Sequence, residues 1–287
     1  MKNRLKLVAS ITALSCVFLV FFKAKTEAPM IAGFMKSDIE EVLTLTGLTY
    51  NGTIDDLVAV TQKGWLRPAH QERWEIQEHP YEKKRDQLLP IFVKMGLVNA
   101  VDLKKTSYDH ILFMGATVFS MHSRMEKLKE VLSSLTSYHA VALLSGCRYL
   151  IESEREFLEK RGWTNLPEIE ADALKRLFEE SLTFSDKVIL INSPQKKSAD
   201  GVMVRPTTVD TVEDWLKTNP KEGTVLVISS QPFCHYQKIV TESLLPCAFS
   251  VDVVGRRAPE NTTMAVYLDM LARTFYQWSK SVCAQKS

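Results

Sequence analysis

The chain has 287 residues, of which 45% are hydrophobic and 24% are charged, with 11 glycines and 11 prolines. This composition is that of a folded globular protein, and it excludes a disordered chain, a collagen-like chain and a polytopic membrane protein. The 36 Lys and Arg residues against 34 Asp and Glu residues give a formal net charge of +2. Because the basic residues are scattered as pairs, the sequence predicts no nucleic-acid partner.

The N-terminus carries the pattern of a targeting or anchoring segment. Basic residues, the last of them Lys6, precede the uncharged residues 7–22, and Lys23 and Lys25 close this run. A helix of that length spans about 24 Å, which is shorter than a hydrocarbon core of roughly 30 Å. Lysines at both ends extend toward the lipid headgroups and make up the difference. The run is therefore long enough for a short single anchor.

Three interpretations of residues 1–28 stay open: an uncleaved anchor, a cleaved signal peptide and a buried helix. A signal peptide needs small residues after its apolar run, whereas Phe21, Phe22 and Lys23 stand there. We therefore predict an anchor. The basic residues favour an N-terminus inside the cell, which makes the chain a single-pass membrane protein with its C-terminal domain exported. Cleavage would instead give a secreted or periplasmic protein.

The apolar pattern divides the rest of the chain into two parts. In residues 29–106 apolar side chains recur at helical spacing, and Thr53 before Asp55 and Asp56 marks a helix start. We predict a helical extension there. In residues 107–287 five apolar runs alternate with amphipathic helices, which is typical of a parallel sheet covered on both faces. These runs are residues 110–115, 140–146, 187–192, 224–229 and 251–254.

The second part is thus predicted to be a doubly wound, Rossmann-like α/β domain of about five strands. One residue of each of four strands, Leu112, Leu143, Ile189 and Leu226, is expected to be buried. In the commonest arrangement of this fold the first strand lies between the second and the fourth. A ligand then binds off the carboxyl ends of the strands, where the strand order reverses.

The predicted strand ends carry small and hydroxyl-bearing residues, which let backbone N–H groups and helix N-termini approach an anion. They are Gly115, Ala116, Ser145, Gly146, Ser229 and Ser230. The chain contains no GxGxxG, GxxxxGK[ST] or GxSxG motif. The ordinary dinucleotide, P-loop and hydrolase interpretations therefore lack their residues.

Three titratable residues near the strand ends have a functional and a structural interpretation. Arg148 and Arg205 are candidate anion ligands, because a guanidinium holds phosphate or carboxylate with two parallel hydrogen bonds. The alternative for both is a salt bridge to a nearby glutamate. His235 is either a general base or anion contact, or a helix-start histidine bonded to a neighbouring backbone group.

Other titratable residues give no catalytic pattern. The glutamates between residues 152 and 159 alternate with Arg155 and Lys160, which predicts a solvated helix face rather than paired catalytic carboxylates. Cys147, Cys234 and Cys247 lack CxxC spacing, so no metal site or redox motif is predicted. We expect most of the cysteines to be buried free thiols.

Short motifs stand at the strand ends and on the helices that follow them. They are Gly115-Ala116 with Arg124, Ser145-Gly146, Glu170-Ala171, residues 207–211 (Thr-Thr-Val-Asp-Thr) and Ser229-Ser230. Their order resembles the YdcF/SanA/ElyC-like family, a bacterial domain of largely unknown function whose members often carry one N-terminal membrane segment. The resemblance covers about residues 108–276. The chain departs from the family pattern after the fourth strand, where His235 stands one place late and Gln237 or Tyr236 falls where the family has an arginine.

The resemblance implies a ligand site at the strand C-termini, with S-adenosylmethionine or a phosphate-bearing envelope precursor as the ligand. The predicted ligand-binding residues are Gly115, Ala116, Arg124, Ser145, Gly146, Arg148, Glu170, Arg205, Thr208, Thr211, Ser229, Ser230 and His235. We expect an envelope-facing domain that binds a small anionic or nucleotide-like ligand in cell-envelope maintenance. The alternative is a noncatalytic, membrane-tethered interaction protein with a degraded ligand site.

Overall fold

The structure is a computed structural model that describes residues 30–67, 80–182, 187–198 and 201–284. The predicted anchor, residues 7–22, lies outside these ranges. Across the described ranges, every helix is too short or too polar to cross a membrane.

The extension is mostly helical, as predicted, but it begins with a hairpin. Its elements are β1 (Met30–Ile31), β2 (Phe34–Met35), α1 (Lys36–Thr46), α2 (Ile54–Gly64), a 3-10 helix (Pro80–Lys84) and α3 (Arg85–Lys94). The expected start of α2 is confirmed, because the Thr53 side chain accepts a hydrogen bond from the Asp56 N–H. The hairpin was not predicted, since strands of two residues are too short to show an alternating pattern.

Strands and helices alternate through the second part. Its elements are β3 (Ser107–Met114), α4 (Val118–Ser134), β4 (Ser137–Gly146), α5 (Glu152–Lys160), α6 (Glu170–Ser181), β5 (Val188–Ser193), β6 (Lys196–Lys197), β7 (Met203–Val204), α7 (Thr208–Leu216), β8 (Thr224–Ser230), α8 (Cys234–Leu244), β9 (Ser250–Arg256) and α9 (Met264–Ala284). Helix α4 begins at Val118, four residues after the end of β3. The short strands β6 and β7 form a second hairpin.

Five of these strands form one parallel sheet in the order β5-β4-β3-β8-β9. The predicted Rossmann-like arrangement is thereby confirmed, because β3 pairs with β4 on one side and with β8 on the other. From β3 the chain builds outward to β5, and then returns to build β8 and β9 on the opposite side. The strand order therefore reverses between β3 and β8, which defines the switch point of the sheet.

Alternating side chains of the strands fill two apolar layers. Ile111 and Phe113 pack toward α4 and α6, whereas Leu112 and Met114 pack toward α7. The prediction of burial is confirmed for Leu112, Leu143 and Leu226, which are fully buried. For Ile189 it was wrong, because β5 is an edge strand of the sheet and this side chain is only partly buried.

A third apolar cluster joins the extension to the closing helix α9. Within it the rings of Phe92 and Tyr267 stack with their centroids 4.9 Å apart. Polar contacts extend this attachment to the sheet. Gln231, which follows β8, donates from Nε2 to the carbonyls of Gly96 and Asn99 at 2.8 and 2.9 Å. The extension therefore lies over the carboxyl ends of β8 and β9.

Candidate functional site

A buried cluster of charged side chains lies at the carboxyl end of β4. The two terminal nitrogens of Arg148 donate to the carboxylate of Glu154 at 2.8 and 2.9 Å, and its Nε donates to Glu170 Oε2 at 2.9 Å. The hydroxyl of Ser145 donates to Glu170 Oε1, also at 2.9 Å. We refer to Ser145, Arg148, Glu154 and Glu170 as the strand-end cluster.

Helix starts and a close backbone approach position this cluster. Glu154 accepts hydrogen bonds from the N–H groups of Val118 and Ile151 at 2.8 and 3.0 Å, so one carboxylate caps the starts of both α4 and α5. Gly115 leaves room for Glu170, since a Cβ atom at position 115 would lie 2.4 Å from Glu170 Oε1. That Cβ would also lie 2.6 Å from the Leu144 carbonyl oxygen. A glycine is therefore required at the end of β3.

The two carboxylates of the cluster differ in electrostatics. Burial raises the pKa of Glu170, and the Arg148 guanidinium opposes that rise only in part. Burial alone would also raise the pKa of Glu154, but hydrogen bonds and charge from Arg148 and two backbone N–H groups hold it below its usual value. One arginine faces two carboxylates, and only Glu154 also accepts hydrogen bonds from two backbone N–H groups. Glu170 is therefore the carboxylate that takes up a proton more readily.

Arg148 and Glu154 correct two details of the sequence interpretation. For Arg148 the structure shows the salt-bridge alternative, since all three of its guanidinium nitrogens have protein acceptors. Its side chain is only 10% exposed. The predicted solvated face was wrong at Glu154, which is fully buried because its carboxylate is bonded to Arg148 and to two helix starts. The position of Glu154 in the first turn of α5 could have indicated this role, since glutamates there often bond to backbone N–H groups.

Arg124 occupies the switch point between β3 and β8. Its Nη1 donates to the carbonyls of Met114 and Gly115 at 2.7 and 3.0 Å, and its Nε donates to the Ser230 hydroxyl at 3.2 Å. The residue is 2% exposed. Arg124 and Ser230, two predicted ligand contacts, thus tie the end of β3 to the end of β8.

Ser229 and His235 lie on the other side of the switch point. The Ser229 hydroxyl donates to the side-chain oxygen of Gln237 in α8. His235 Nε2 donates to the Ala32 carbonyl at 2.6 Å, and its ring lies 4.4 Å from the Phe34 ring. Burial lowers the pKa of His235, which favours the neutral imidazole. The backbone-bonded interpretation of His235 is therefore the one the structure shows.

The segment between β7 and α7 covers the end of β4. A Cβ atom at Gly146 would lie 2.1 Å from Pro206 Cγ, so this glycine allows the segment to approach the sheet. Arg205 is partly exposed, and its charge acts on Glu170 against the rise in the pKa of that carboxyl. Residues 207–211 form the start of α7, where the Thr207 hydroxyl donates to Asp210 at 2.9 Å. At this start the Thr211 hydroxyl donates to the Thr208 carbonyl at 3.1 Å.

The predicted site residues thus separate into groups. Six of them lie together at the ends of β3 and β4, beside the segment that carries Arg205, Thr208 and Thr211. These six are Gly115, Ala116, Ser145, Gly146, Arg148 and Glu170. Ser229 and His235 belong instead to contacts of α8, in the case of His235 with the extension. Sequence reasoning missed Glu154, and it also missed Gln231, whose side-chain oxygen is buried without a hydrogen-bond partner.

The cysteines show varied burial. Cys234 is buried, and burial raises the pKa of its thiol to about 12, so that thiol stays protonated. Cys147 is half-buried, and Cys247 is exposed, contrary to the general expectation of buried thiols. Cys247 is exposed because α8 ends at Leu244 and leaves it in a surface turn. In the described part of the chain, no group of three or more His, Cys, Asp or Glu side chains is arranged to hold a metal ion.

Fold and site together define a Rossmann-like α/β protein with a helical extension and a charged cluster at the strand ends. No protein-family model matches the chain, and no curated protein matches it. The resemblance to the YdcF/SanA/ElyC-like family stays a prediction.

Proposed function

We propose that this protein is membrane-anchored and envelope-facing, and that its α/β domain binds a small anionic or nucleotide-like ligand in cell-envelope maintenance. The observation that carries the proposal is the strand-end cluster. Burying one arginine and two carboxylates costs free energy, and proteins concentrate such groups with perturbed pKa values at functional sites. The carboxyl edge of a doubly wound sheet is also where ligands of this fold bind.

Glu170 and Ser145 are the groups we assign to ligand recognition. Carboxylates at the strand ends of this fold accept hydrogen bonds from ribose hydroxyls. The raised pKa of Glu170 shows that its environment holds the charged form less favourably than water does. A ligand hydroxyl that donates to Glu170 would therefore relieve part of that cost. We assign Arg205 to contact with the anionic group of the ligand, and Arg148 to positioning the two glutamates.

The ligand class follows from the chemistry of the cluster and from the family resemblance. Both are compatible with S-adenosylmethionine, a nucleotide or a lipid-linked sugar phosphate, since each carries hydroxyls beside a charged group. We propose calorimetric titration of the full-length chain in detergent with each of the three. Heat is expected from one of them, and Glu170→Gln should weaken its binding about 10-fold or more, as the loss of a charge-assisted hydrogen bond does.

Glu168→Gln is the matched control, because Glu168 lies two residues away and is exposed. It should leave binding unchanged. No heat from any of the three compounds, or equal affinities of the two variants, would contradict a ligand role for the cluster.

The proposed anchor rests on residues 7–22 and their flanking lysines. The full-length chain should remain in the membrane fraction after carbonate washing, with residues 187–287 accessible to protease only from the exported side. A variant lacking residues 1–28 should be soluble and folded. Recovery of the intact chain in the soluble fraction would contradict the anchor.

A second candidate function is a noncatalytic, membrane-tethered interaction protein. It is favoured by the internal hydrogen bonds of the predicted ligand contacts. Arg148 is bonded to two glutamates, Arg124 to backbone carbonyls, and His235 to the Ala32 carbonyl. In this interpretation the strand-end cluster only attaches α4, α5 and α6 to the sheet. None of the three calorimetric titrations then gives heat of binding.

A further inference from the structure

Exposed apolar side chains concentrate at the edge of the sheet that carries the strand-end cluster. Among the described residues, five of the eight large hydrophobic side chains that are exposed follow β3, β4 or β5. These five are Phe119 (42% exposed), Tyr149 (65%), Val202 (46%), Met203 (51%) and Val204 (36%). Single exposed apolar residues need no explanation, but a group at one edge indicates a contact surface.

The topology places the five residues on the same side of the molecule. Phe119 is the second residue of α4, which begins four residues after the end of β3, and Tyr149 follows the end of β4. Val202, Met203 and Val204 belong to the hairpin of β6 and β7, which follows β5. Because the strands are parallel, all these connections leave the sheet at its carboxyl edge. We call the ends of β3, β4 and β5 with these residues the open half of the edge.

The described chain also begins at this edge. Met30 is 53% exposed, and two residues later the Ala32 carbonyl accepts a hydrogen bond from His235. His235 lies in the first turn of α8, directly after the carboxyl end of β8. Residues 23–29 alone connect the apolar run to Met30, and seven residues span at most about 25 Å. An anchored chain therefore holds this edge close to the bilayer.

The charge of the hairpin segment fits an anionic surface. Residues 194–207 include Lys196, Lys197 and Arg205 against a single acid, Asp200. Lys196 is paired with Asp210 in the first turn of α7, so the net positive charge is small. Contact of apolar side chains with the surface must therefore supply most of the attraction between this segment and a membrane. The surface thus combines Tyr149 with aliphatic and lysine side chains of the hairpin segment, and these residue types occur at membrane interfaces.

We propose that the open half rests against the surface of a bilayer that contains anionic lipid, with Phe119, Tyr149 and Met203 in the interfacial layer. This inference rests on the anchor of the proposed function. It favours a lipid surface over a protein partner because the short connection holds the edge beside the membrane. It also implies that the strand-end cluster opens toward the membrane surface.

Two tyrosines at opposite ends of β4 provide a matched test. Tyr149 follows its carboxyl end, whereas Tyr138 lies at its amino end, about 26 Å from Gly146 along the strand. The full-length variants Tyr149→Trp and Tyr138→Trp are reconstituted in vesicles of phosphatidylcholine and phosphatidylglycerol, with and without brominated acyl chains. Emission of the added tryptophan is obtained by subtracting the wild-type spectrum. Bromolipid should quench the tryptophan at position 149 by about half or more, since interfacial side chains reach the acyl boundary.

The tryptophan at position 138 should not be quenched. Adding Met203→Glu to Tyr149→Trp should reduce the quenching, because a carboxylate opposes contact with anionic lipid. Equal quenching at both positions, or none at either, would overturn the inference. A blue shift at position 149 that rises with protein concentration, without quenching, would assign the surface to a second copy of the chain and would also overturn it.

The same samples separate this failure from that of the proposed function. A chain that carbonate washing releases has no anchor, so the proposed function fails at that point. A chain that is retained, with no quenching at position 149, overturns only the orientation of the edge. The calorimetric titrations test ligand binding independently of both results.

Discussion

The two halves of the sheet's carboxyl edge differ in how their polar groups are satisfied. At the ends of β8 and β9, which we call the covered half, the extension supplies the partners. Gln231 donates to the carbonyls of Gly96 and Asn99, and Val101 pairs with Gly255. On the open half, charged side chains of the α/β domain bond to one another in the strand-end cluster. The covered half therefore serves to attach the extension, and the ligand role that we propose concerns the open half.

This contrast changes the meaning of the small and hydroxyl-bearing strand ends. Such residues were predicted to admit a ligand at the strand ends. On both halves they admit other parts of the chain: a Cβ atom at Gly255 would lie 2.3 Å from Cys234 Sγ, and one at Gly146 would lie 2.1 Å from Pro206 Cγ. Small residues at a strand end thus indicate close approach, and the structure decides whether protein or ligand approaches.

The largest expected effect comes from breaking the cluster on the open half. Arg148→Met leaves Glu154 and Glu170 buried without their cation, which should cost about 3–5 kcal/mol of the free energy of unfolding. Guanidinium-induced unfolding measures this cost. Lys160→Met is the control, because the Lys160 side chain is 79% exposed, and it should change stability by less than about 0.5 kcal/mol. A loss below about 1 kcal/mol for Arg148→Met would show that the two glutamates are protonated or solvated in the folded protein.

A pair of glycine substitutions compares the two halves directly. Gly115→Ala would place a Cβ atom 2.4 Å from Glu170 Oε1, and Gly255→Ala would place one 2.3 Å from Cys234 Sγ. Each should lower the free energy of unfolding by about 1–3 kcal/mol through overpacking. Only Gly115→Ala should also weaken ligand binding in calorimetry, because only it displaces a residue of the cluster. Equal loss of binding in both variants would remove the functional distinction between the halves.

The attachment of the extension should depend on Gln231. In Gln231→Leu the carbonyls of Gly96 and Asn99 lose their donor, which should cost about 1–2 kcal/mol. Amide hydrogen exchange of residues 96–101 should become faster, whereas exchange at the end of β4 should not change. Gln195→Leu on the open half is the control, since Gln195 makes one long contact of 3.5 Å to the Cys147 carbonyl. Faster exchange on both halves would contradict their independence.

The fold could be predicted from the sequence because each strand and helix has a pattern that lies within a few neighbouring residues. A parallel strand buried on both faces appears as a short apolar run, and Val225, Val227 and Ile228 show this in β8. Among the four strand residues predicted to be buried, the prediction was wrong at Ile189, because β5 lies at the edge of the sheet. A residue pattern does not state which strand will lie at the edge of a sheet.

The site could be predicted from the sequence only in part, because residues that contact one another there are distant in the chain. The ends of β3 and β4 and Glu170 were found by their motifs, and these do lie together, whereas Ser229 bonds to Gln237 of α8. The partner of His235 was not predictable, since Ala32 is 203 residues away and belongs to a two-residue hairpin turn. The burial of Glu154 was also hidden, because its helix carries glutamates and lysines that suggest a solvated face. Whether a charged residue faces solvent depends on tertiary contacts that periodicity does not encode.

Lowering the pH should decrease the contribution of His235 to the free energy of unfolding and increase that of Glu170. This is the smallest effect that we expect. Burial lowers the pKa of His235 below its usual value of about 6.5, so the unfolded chain binds the proton more readily. The contribution of His235 is complete above about pH 6.5, and it is lost as the pH falls toward the folded value. Burial raises the pKa of Glu170, so the folded chain binds that proton more readily. Its contribution is present near pH 4 and is lost as the pH rises through the folded value.

Two variants isolate these opposing slopes in the free energy of unfolding measured from pH 4 to pH 7. His235→Gln keeps a side-chain donor for the Ala32 carbonyl but does not titrate, so stability should fall less on acidification than in the wild type. Glu170→Gln removes the group that is stabilised by protonation, so stability should fall less as the pH rises from 4. One proton changes the slope by at most about 1.4 kcal/mol per pH unit, which bounds both differences. If Glu170→Gln instead made the protein lose more stability as the pH rises, Arg148 would already compensate the burial of the charged carboxylate, and the argument that a ligand hydroxyl relieves a burial cost at Glu170 would fail.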